Sequence, residues 1–396
     1  MNWLFIIYVA GVLFFIFKAS SKNTLYVFSP LVTIYLVFAV ANIYPLVVYK
    51  GHLPQNIIDV TNITCVVNLL FLFYYRKQFF MRVEILPDWS LLRYARNRRM
   101  VMWAFVIIIL LTGFISGVTP ALLAGVNVED LRMTSDIGMG FLRAIPSFGI
   151  PYLFLEYLIL NRGISFWKAG VFAILLGGVL FLSTAARGGV LVYVMAFFVW
   201  INLKYRGFKW YEYFAVFYLL KPIVATILKA VRSGTLMDLL SLQLFEHEQM
   251  IFSANTVRLA EYMDFSHSYL WGESYAYPLF RIIPRFLWHD KPLAIDYKYK
   301  EMVEYDFEGG GIYTTPDFDM FLNFGYLYVI EYVLWLLLIH WMYRKLIASN
   351  TSFANKMLIM SFLSTSFVVG SLIEHIQVYF LFILIFYFIN RKWRAV

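Results

Sequence analysis

Arginine is the side chain best built for phosphate, because its planar fork offers two parallel charge-assisted hydrogen bonds. Five arginines stand in separate short contexts where that chemistry is available: Arg132 in Val-Glu-Asp-Leu-Arg, Arg187 in Ala-Ala-Arg-Gly-Gly, Arg258 in Asn-Thr-Val-Arg-Leu, and Arg281 and Arg285 in Phe-Arg-Ile-Ile-Pro-Arg-Phe. Arg187 is followed by Gly188 and Gly189, where the sequence predicts a helix start. Bare glycine amides at a helix N-terminus carry positive partial charge and hold anions. Pro284 and Pro292 stiffen the segment between them and would hold Arg285 and Lys291 in place. The competing reading is that these cations snorkel to lipid headgroups.

A general base must reach the attacking hydroxyl and take its proton near neutral pH. Glu246, His247, Glu248, Asp317, Asp319, Glu374 and His375 are the candidates. Asp319 precedes a predicted helix start, where an acid is also simply a good first-turn residue. Tyrosines and tryptophans between residues 269 and 313 could stack on sugar faces, although a membrane belt explains most aromatics in a chain with 20% of them. One cysteine, Cys65, permits no internal disulfide, and six scattered histidines show no HExxH spacing. No metal or other cofactor is expected.

These residues have to be positioned by elements that live in lipid. Hydrophobic residues make up 61% of the chain and charged residues 14%, too few charges to cover a soluble surface. The apolar runs are near twenty residues and apolar all round, which fits helices and not barrel strands. About eleven spans are predicted: 2–17, 26–48, 57–75, 100–117, 141–161, 166–184, 188–203, 210–231, 319–343, 353–373 and 376–390. Residues 2–17 lack a basic leader and are read as a retained helix. Lys221 and Lys229 mark 210–231 as a span facing protein or water.

Lysine and arginine concentrate in every second connection, above all in 76–99, which the positive-inside rule makes cytoplasmic. The N-terminus is then outside and the C-terminus inside. Residues 232–317 form one long outer loop, with an amphipathic helix predicted at 237–252. The chain is therefore read as a single all-α polytopic membrane domain over 1–396, with a basic cytoplasmic loop at 76–99 and a large periplasmic loop at 232–317. The +9 net charge is a topology signal, and with no basic soluble patch nucleic acid is excluded as a partner.

Several short motifs in fixed order surround that loop: Leu131-Arg132, Ser183-Thr-Ala-Ala-Arg-Gly-Gly189, Gly272-Glu-Ser-Tyr275, Ile283-Pro-Arg-Phe-Leu-Trp-His-Asp-Lys-Pro292 and Asp319-Met-Phe-Leu-Asn-Phe-Gly325. Together with the span count they resemble the O-antigen polymerases, the oligosaccharide repeat-unit polymerases of bacterial envelopes. That family usually carries glutamate where this chain has Asp319. The resemblance implies a glycosyltransferase of GT-C-type architecture in the bacterial inner membrane, with its active site facing the periplasm. It would join undecaprenyl-diphosphate-linked oligosaccharides into O-antigen, capsule or exopolysaccharide, without metal and with inversion. Arg187, Arg281 and Arg285 would hold the diphosphate, with Arg132 and Arg258 in support, and Asp319 or His247 would be the catalytic base. Expected partners are the lipid-linked donor and acceptor, membrane lipids and a chain-length regulator. An O-antigen ligase and a flippase or transporter of lipid-linked oligosaccharides are the alternatives; the pooling of polar residues in one loop disfavours the latter.

Overall fold

A computed structural model describes residues 2–22, 30–43, 52–80, 95–126, 140–161, 163–185, 248–266, 268–276, 295–303 and 314–348, with isolated positions between them. The described residues are helical and contain no strand. The elements are α1 (Trp3–Ser21), α2 (Pro30–Ala41), α3 (Gln55–Tyr74), a 3-10 helix (Arg76–Phe80), α4 (Ala95–Ile115), α5 (Val118–Leu123), α6 (Gly140–Leu160) and α7 (Phe166–Thr184). After them come α8 (Glu248–Ser266), α9 (Ile295–Met302), α10 (Pro316–Phe324), a 3-10 turn (Gly325–Leu327) and α11 (Tyr328–Ala348).

Five of the described helical stretches are long and apolar enough to cross a membrane: Trp3–Ser21, Gln55–Tyr74, Arg98–Ile115, Phe166–Thr184 and Pro316–Lys345. Their outward faces are as apolar as their cores. Phe14, Leu70, Ile107, Leu111, Ile174 and Leu334 are all exposed, a surface that water would not tolerate and lipid requires. The protein is an all-α protein embedded in a membrane.

Local chemistry marks the helix ends. Asn2 caps α1, its side-chain oxygen accepting from the Phe5 amide at 3.3 Å. Ser165 does the same for α7 through the Lys168 amide at 3.4 Å, and Ala185 ends that helix in the left-handed region. At α10 a proline follows the Thr315 cap and two acids occupy the first turn, the arrangement a helix N-terminus favours.

Two large hydrophobic cores result among the described residues, with a smaller third cluster where Val118 and Leu122 of α5 meet Phe181 of α7. One joins α1, α2, α3, α8, α10 and α11, and the other joins α4, α6 and α7. Within lipid no hydrophobic force draws helices together, so close packing and interhelical hydrogen bonds must do it. In the first core Tyr332 donates to Asn68 (3.0 Å), Tyr328 meets Thr64 (3.0 Å) and Thr61 donates to Asn42 (3.0 Å). Tyr35 and Gln78 take opposite nitrogens of the buried His340 ring at 2.9 and 2.7 Å, and Tyr75 stacks on that ring. The second core relies on small residues. A Cβ on Gly113 would lie 2.6 Å from Ser183 Cα, so only glycine lets α4 and α7 approach this closely. Thr119 ties the same end with a hydrogen bond to the Leu182 carbonyl at 3.0 Å.

Asp317 lies with Asn42 and Ile57–Thr61, which we call the outer end. His340 lies with Gln78 beyond the opposite end of α3, and Arg98 of α4 lies with Glu156 of α6. Two elements differ from expectation. Residues 95–99, inside the stretch read as a loop, form the first turn of α4, because Arg98 finds a buried partner in Glu156. The predicted span 319–343 is a short helix, a 3-10 turn and a long helix in succession, broken by Gly325 at φ 58°. The spans 353–373 and 376–390 lie outside the described residues, as do all but isolated positions of 188–203 and 210–231, Lys221 and Lys229 among those outside.

Gly113→Leu is expected to destabilise the detergent-solubilised protein by about 1–3 kcal/mol or more, the range for overpacking a filled contact. Thermal unfolding of the purified variant beside Gly113→Ala checks it, and a Leu variant as stable as the parent would contradict the close approach.

Candidate functional site

At the outer end, chain segments far apart in sequence converge on Asn323. Its amide nitrogen donates to Ser274 Oγ at 2.6 Å and to the Asp319 carbonyl at 2.8 Å, while its amide oxygen accepts from the Gly272 amide at 3.1 Å. Two backbone hydrogen bonds reinforce the junction, Leu270 to the Leu322 carbonyl (2.9 Å) and Trp271 to the Asn323 carbonyl (3.0 Å). The amide of Asn323 is fully buried, so these partners replace water in full.

The turn at 271–272 is what makes the clasp fit. Trp271 has φ 50° and Gly272 has φ 85°; the glycine adopts this at no steric cost, whereas a bulky side chain there is strained. Strain of this kind persists only where surrounding contacts over-determine it. Gly325, on the other side, sits under the Tyr269 ring, which a Cβ would approach to 2.8 Å.

Around the clasp stand carboxylates and their partners. Asp319 is 1% exposed and accepts a hydrogen bond from the Tyr299 hydroxyl of α9. Tyr275 donates to Glu331 at 2.5 Å, and Lys298 of α9 pairs with Glu273. Burial, the Asp319 charge and the Glu331 hydrogen bond all push the Tyr275 phenol well above its ordinary pKa, so it is a neutral donor throughout the physiological range. The second oxygen of Glu331 is buried without a hydrogen-bond partner among the described residues.

Asp317 and Asp319 are two residues apart on one helix and therefore face different directions. Asp317 turns toward α2 and α3, lining a cavity of about 20 Å³ with Ile34, Phe38, Ala41 and Tyr332, room for about one water. Asp319 turns toward α9. The two do not form an acid–base pair across one substrate. Thr256 of α8 and Thr314 close the remaining side through hydroxyls 2.7 Å apart.

Of the candidate arginines and bases singled out on the sequence, four are described: Arg258, Asp317, Asp319 and Glu248, the last as the first residue of α8. Asp319 is at the centre of this cluster, while Arg258 is exposed on α8, whose Val257, Leu259 and Ala260 face the core. Arg132, Arg187, Arg281, Arg285 and His247 lie outside the described residues, as do Glu246, Glu374 and His375. The outer clasp unites two of the quoted motifs, 272–275 and 319–325. Glu331 was not among the expected site residues, and Tyr299 was expected only as one of the tyrosines that could stack on a sugar face. Tyr299 reads as one more belt aromatic, and Glu331 sits inside an apolar span, a position that by itself signals function. Among the described residues no group of three or more His, Cys, Asp or Glu is placed to hold a metal ion.

No protein-family model matches the chain, and no curated protein or solved structure matches it.

Asn323→Ala removes three buried hydrogen bonds and leaves their partners without substitutes, at about 1–3 kcal/mol for each stranded group. Chymotrypsin is expected to cut within Tyr269–Tyr275 markedly faster in this variant than in the parent. Unchanged cleavage would show that the clasp does not hold this stretch.

Proposed function

We propose that the chain is a polysaccharide polymerase of the bacterial inner membrane, with about eleven spans and GT-C-type architecture. It joins undecaprenyl-diphosphate-linked repeat units at the periplasmic face. The observation that carries this reading is the convergence of the 272–275 and 319–325 motifs, with α9 between them in sequence, into one rigid cluster at the outer end. Catalytic constellations require such support, because groups held within fractions of an ångström accelerate where loose ones do not.

The reaction is a substitution at the donor's anomeric carbon. The acceptor hydroxyl oxygen forms the new bond, the bond to the diphosphate oxygen breaks, and the lipid diphosphate departs with the electron pair. Attack from the opposite face inverts the centre. Stabilising the departing charge is the main task, and preorganised guanidinium groups suit it. Arg187, Arg281 and Arg285 take this role, with Arg132 and Arg258 supporting. The acceptor's proton goes to His247 or to Asp319. Asp319 is buried and accepts from Tyr299, so it takes that proton only from a hydroxyl that reaches its carboxylate, and otherwise it is a positioning residue.

Asp319→Asn preserves the shape of the cluster and removes its charge, and Arg187→Ala removes a diphosphate contact. Both are expected to lower polymerisation by about 10²-fold or more, the usual scale for proton-transfer and charge-stabilising groups. Membrane insertion should persist. The readout is the length distribution of glycans in cells carrying each variant: a single repeat unit indicates a lost polymerase, and lipid-carried full-length polymer a lost ligase. Full-length surface glycan in both variants would remove the proposed function. Cysteines placed in 232–317 should react with impermeant reagents from the periplasm, and labelling only from the cytoplasm would reverse the topology.

A further inference from the structure

Residues 270–273 form a tight turn in which the Glu273 amide donates to the Leu270 carbonyl at 2.9 Å. Both central residues, Trp271 and Gly272, have positive φ. That is the pattern of a type I′ turn, whose favoured central pair is Asn-Gly. Glycine fits the second position. At the first stands tryptophan, a bulky residue for which the left-handed region is sterically unfavourable.

The fold does not offset this strain by packing the ring. Trp271 is 71% exposed, and its ring meets Tyr269 edge-on with 6.1 Å between centroids. The backbone beneath it is fixed: the Trp271 amide donates to the Asn323 carbonyl and the Gly272 amide to the Asn323 side chain. A rigid, strained turn thus holds a large flat ring outward. Strain kept in this way marks places where a side chain is aimed at a ligand. A tryptophan of the membrane belt needs only to be apolar at the interface, and an unstrained turn would serve it.

The neighbouring charges narrow the ligand. Two residues on, Glu273 pairs with Lys298 of α9, and both side chains are partly exposed. Their pair cancels its own charge yet still offers donors and acceptors, which suits hydroxyl groups and not a net ion. The face of the indole carries the negative side of its π system, which attracts weakly positive C–H groups. A pyranose ring has C–H groups on its faces and hydroxyls around its edge, and so matches both features.

We infer that Trp271 is a stacking platform for a pyranose ring of a glycan, with Glu273 and Lys298 taking its hydroxyls. The inference rests on the polymerase reading for the identity of that glycan, the repeat-unit chain being lengthened.

The test uses the full-length protein in a mild detergent. The probe is the bacterium's own surface polysaccharide, freed of lipid by mild acid, and binding is read by isothermal titration. Trp271→Tyr keeps an aromatic face and is expected to bind within about threefold of the parent. Trp271→Leu stays apolar without that face, and Trp271→Asn restores the favoured turn pair without the ring. Both are expected to bind about tenfold more weakly or worse. Trp271→Asn should also unfold at a temperature equal to or above the parent's, which separates lost binding from lost structure. Parent-like affinity in Trp271→Leu, or no binding by the parent, would overturn the platform. A clear fall in the unfolding temperature of Trp271→Asn would show that the ring serves packing, and would overturn it too. Shortened surface glycan in Arg187→Ala beside unchanged binding in Trp271→Asn would reject the platform alone. Full-length glycan in Arg187→Ala and Asp319→Asn, with binding that depends on Trp271, would reject the polymerase reading and leave the platform standing.

Discussion

Asn323 is a small side chain with two faces, and the outer end of the molecule is organised around both. Its nitrogen serves a serine 49 residues earlier in the chain and the carbonyl of its own helix, while its oxygen takes a loop amide. In a buried site each of these groups would otherwise be left without a partner, at a cost larger than the bond itself is worth. The clasp therefore fixes where α10 begins relative to the 268–276 turn, and with it where Asp319 meets Tyr299. Remove this one amide and the carboxylate loses the frame that aims it.

The same rule operates deeper in the bundle. Thr64, Asn68, Tyr328 and Tyr332 pair across α3 and α11, and His340 lies between Tyr35 and Gln78. With the Gln78 carbonyl oxygen facing Nδ1, that nitrogen donates and Nε2 accepts from Tyr35, so both partners together select one ring tautomer. Lipid offers these groups nothing. Their pairing specifies which helices are neighbours, where greasy contact alone would allow many arrangements.

Much of the scaffold is legible from hydropathy because lipid imposes length and apolarity directly. The span predicted at 166–184 is α7 with the same limits, and 57–75 is α3 within two residues. Boundaries shift where a buried partner overrides the charge count, as Glu156 does for Arg98. At the site, the first-turn acid Asp319 was visible as a helix-start residue, and the 272–275 and 319–325 motifs stood out only by their resemblance to those of a known family. Their meeting was not, because an asparagine hydrogen bond between segments 49 residues apart leaves no periodic trace. Tyr299 was hidden among many tyrosines, and nothing in its spacing separates a donor to a carboxylate from a membrane-belt ring.

Gly113 carries a further implication for the end of α7. With no side chain between them, α4 and α7 touch backbone to side chain, and Thr119 bolts the same crossing through the Leu182 carbonyl. Two rods fastened this tightly cannot slide past each other by the length of a methyl group. The end of α7 at Thr184 thus shares its footing with α4, the helix whose far end bears Arg98 and Arg99. Any tilt of that rod about its Arg98 end would carry the last turn of α7 with it.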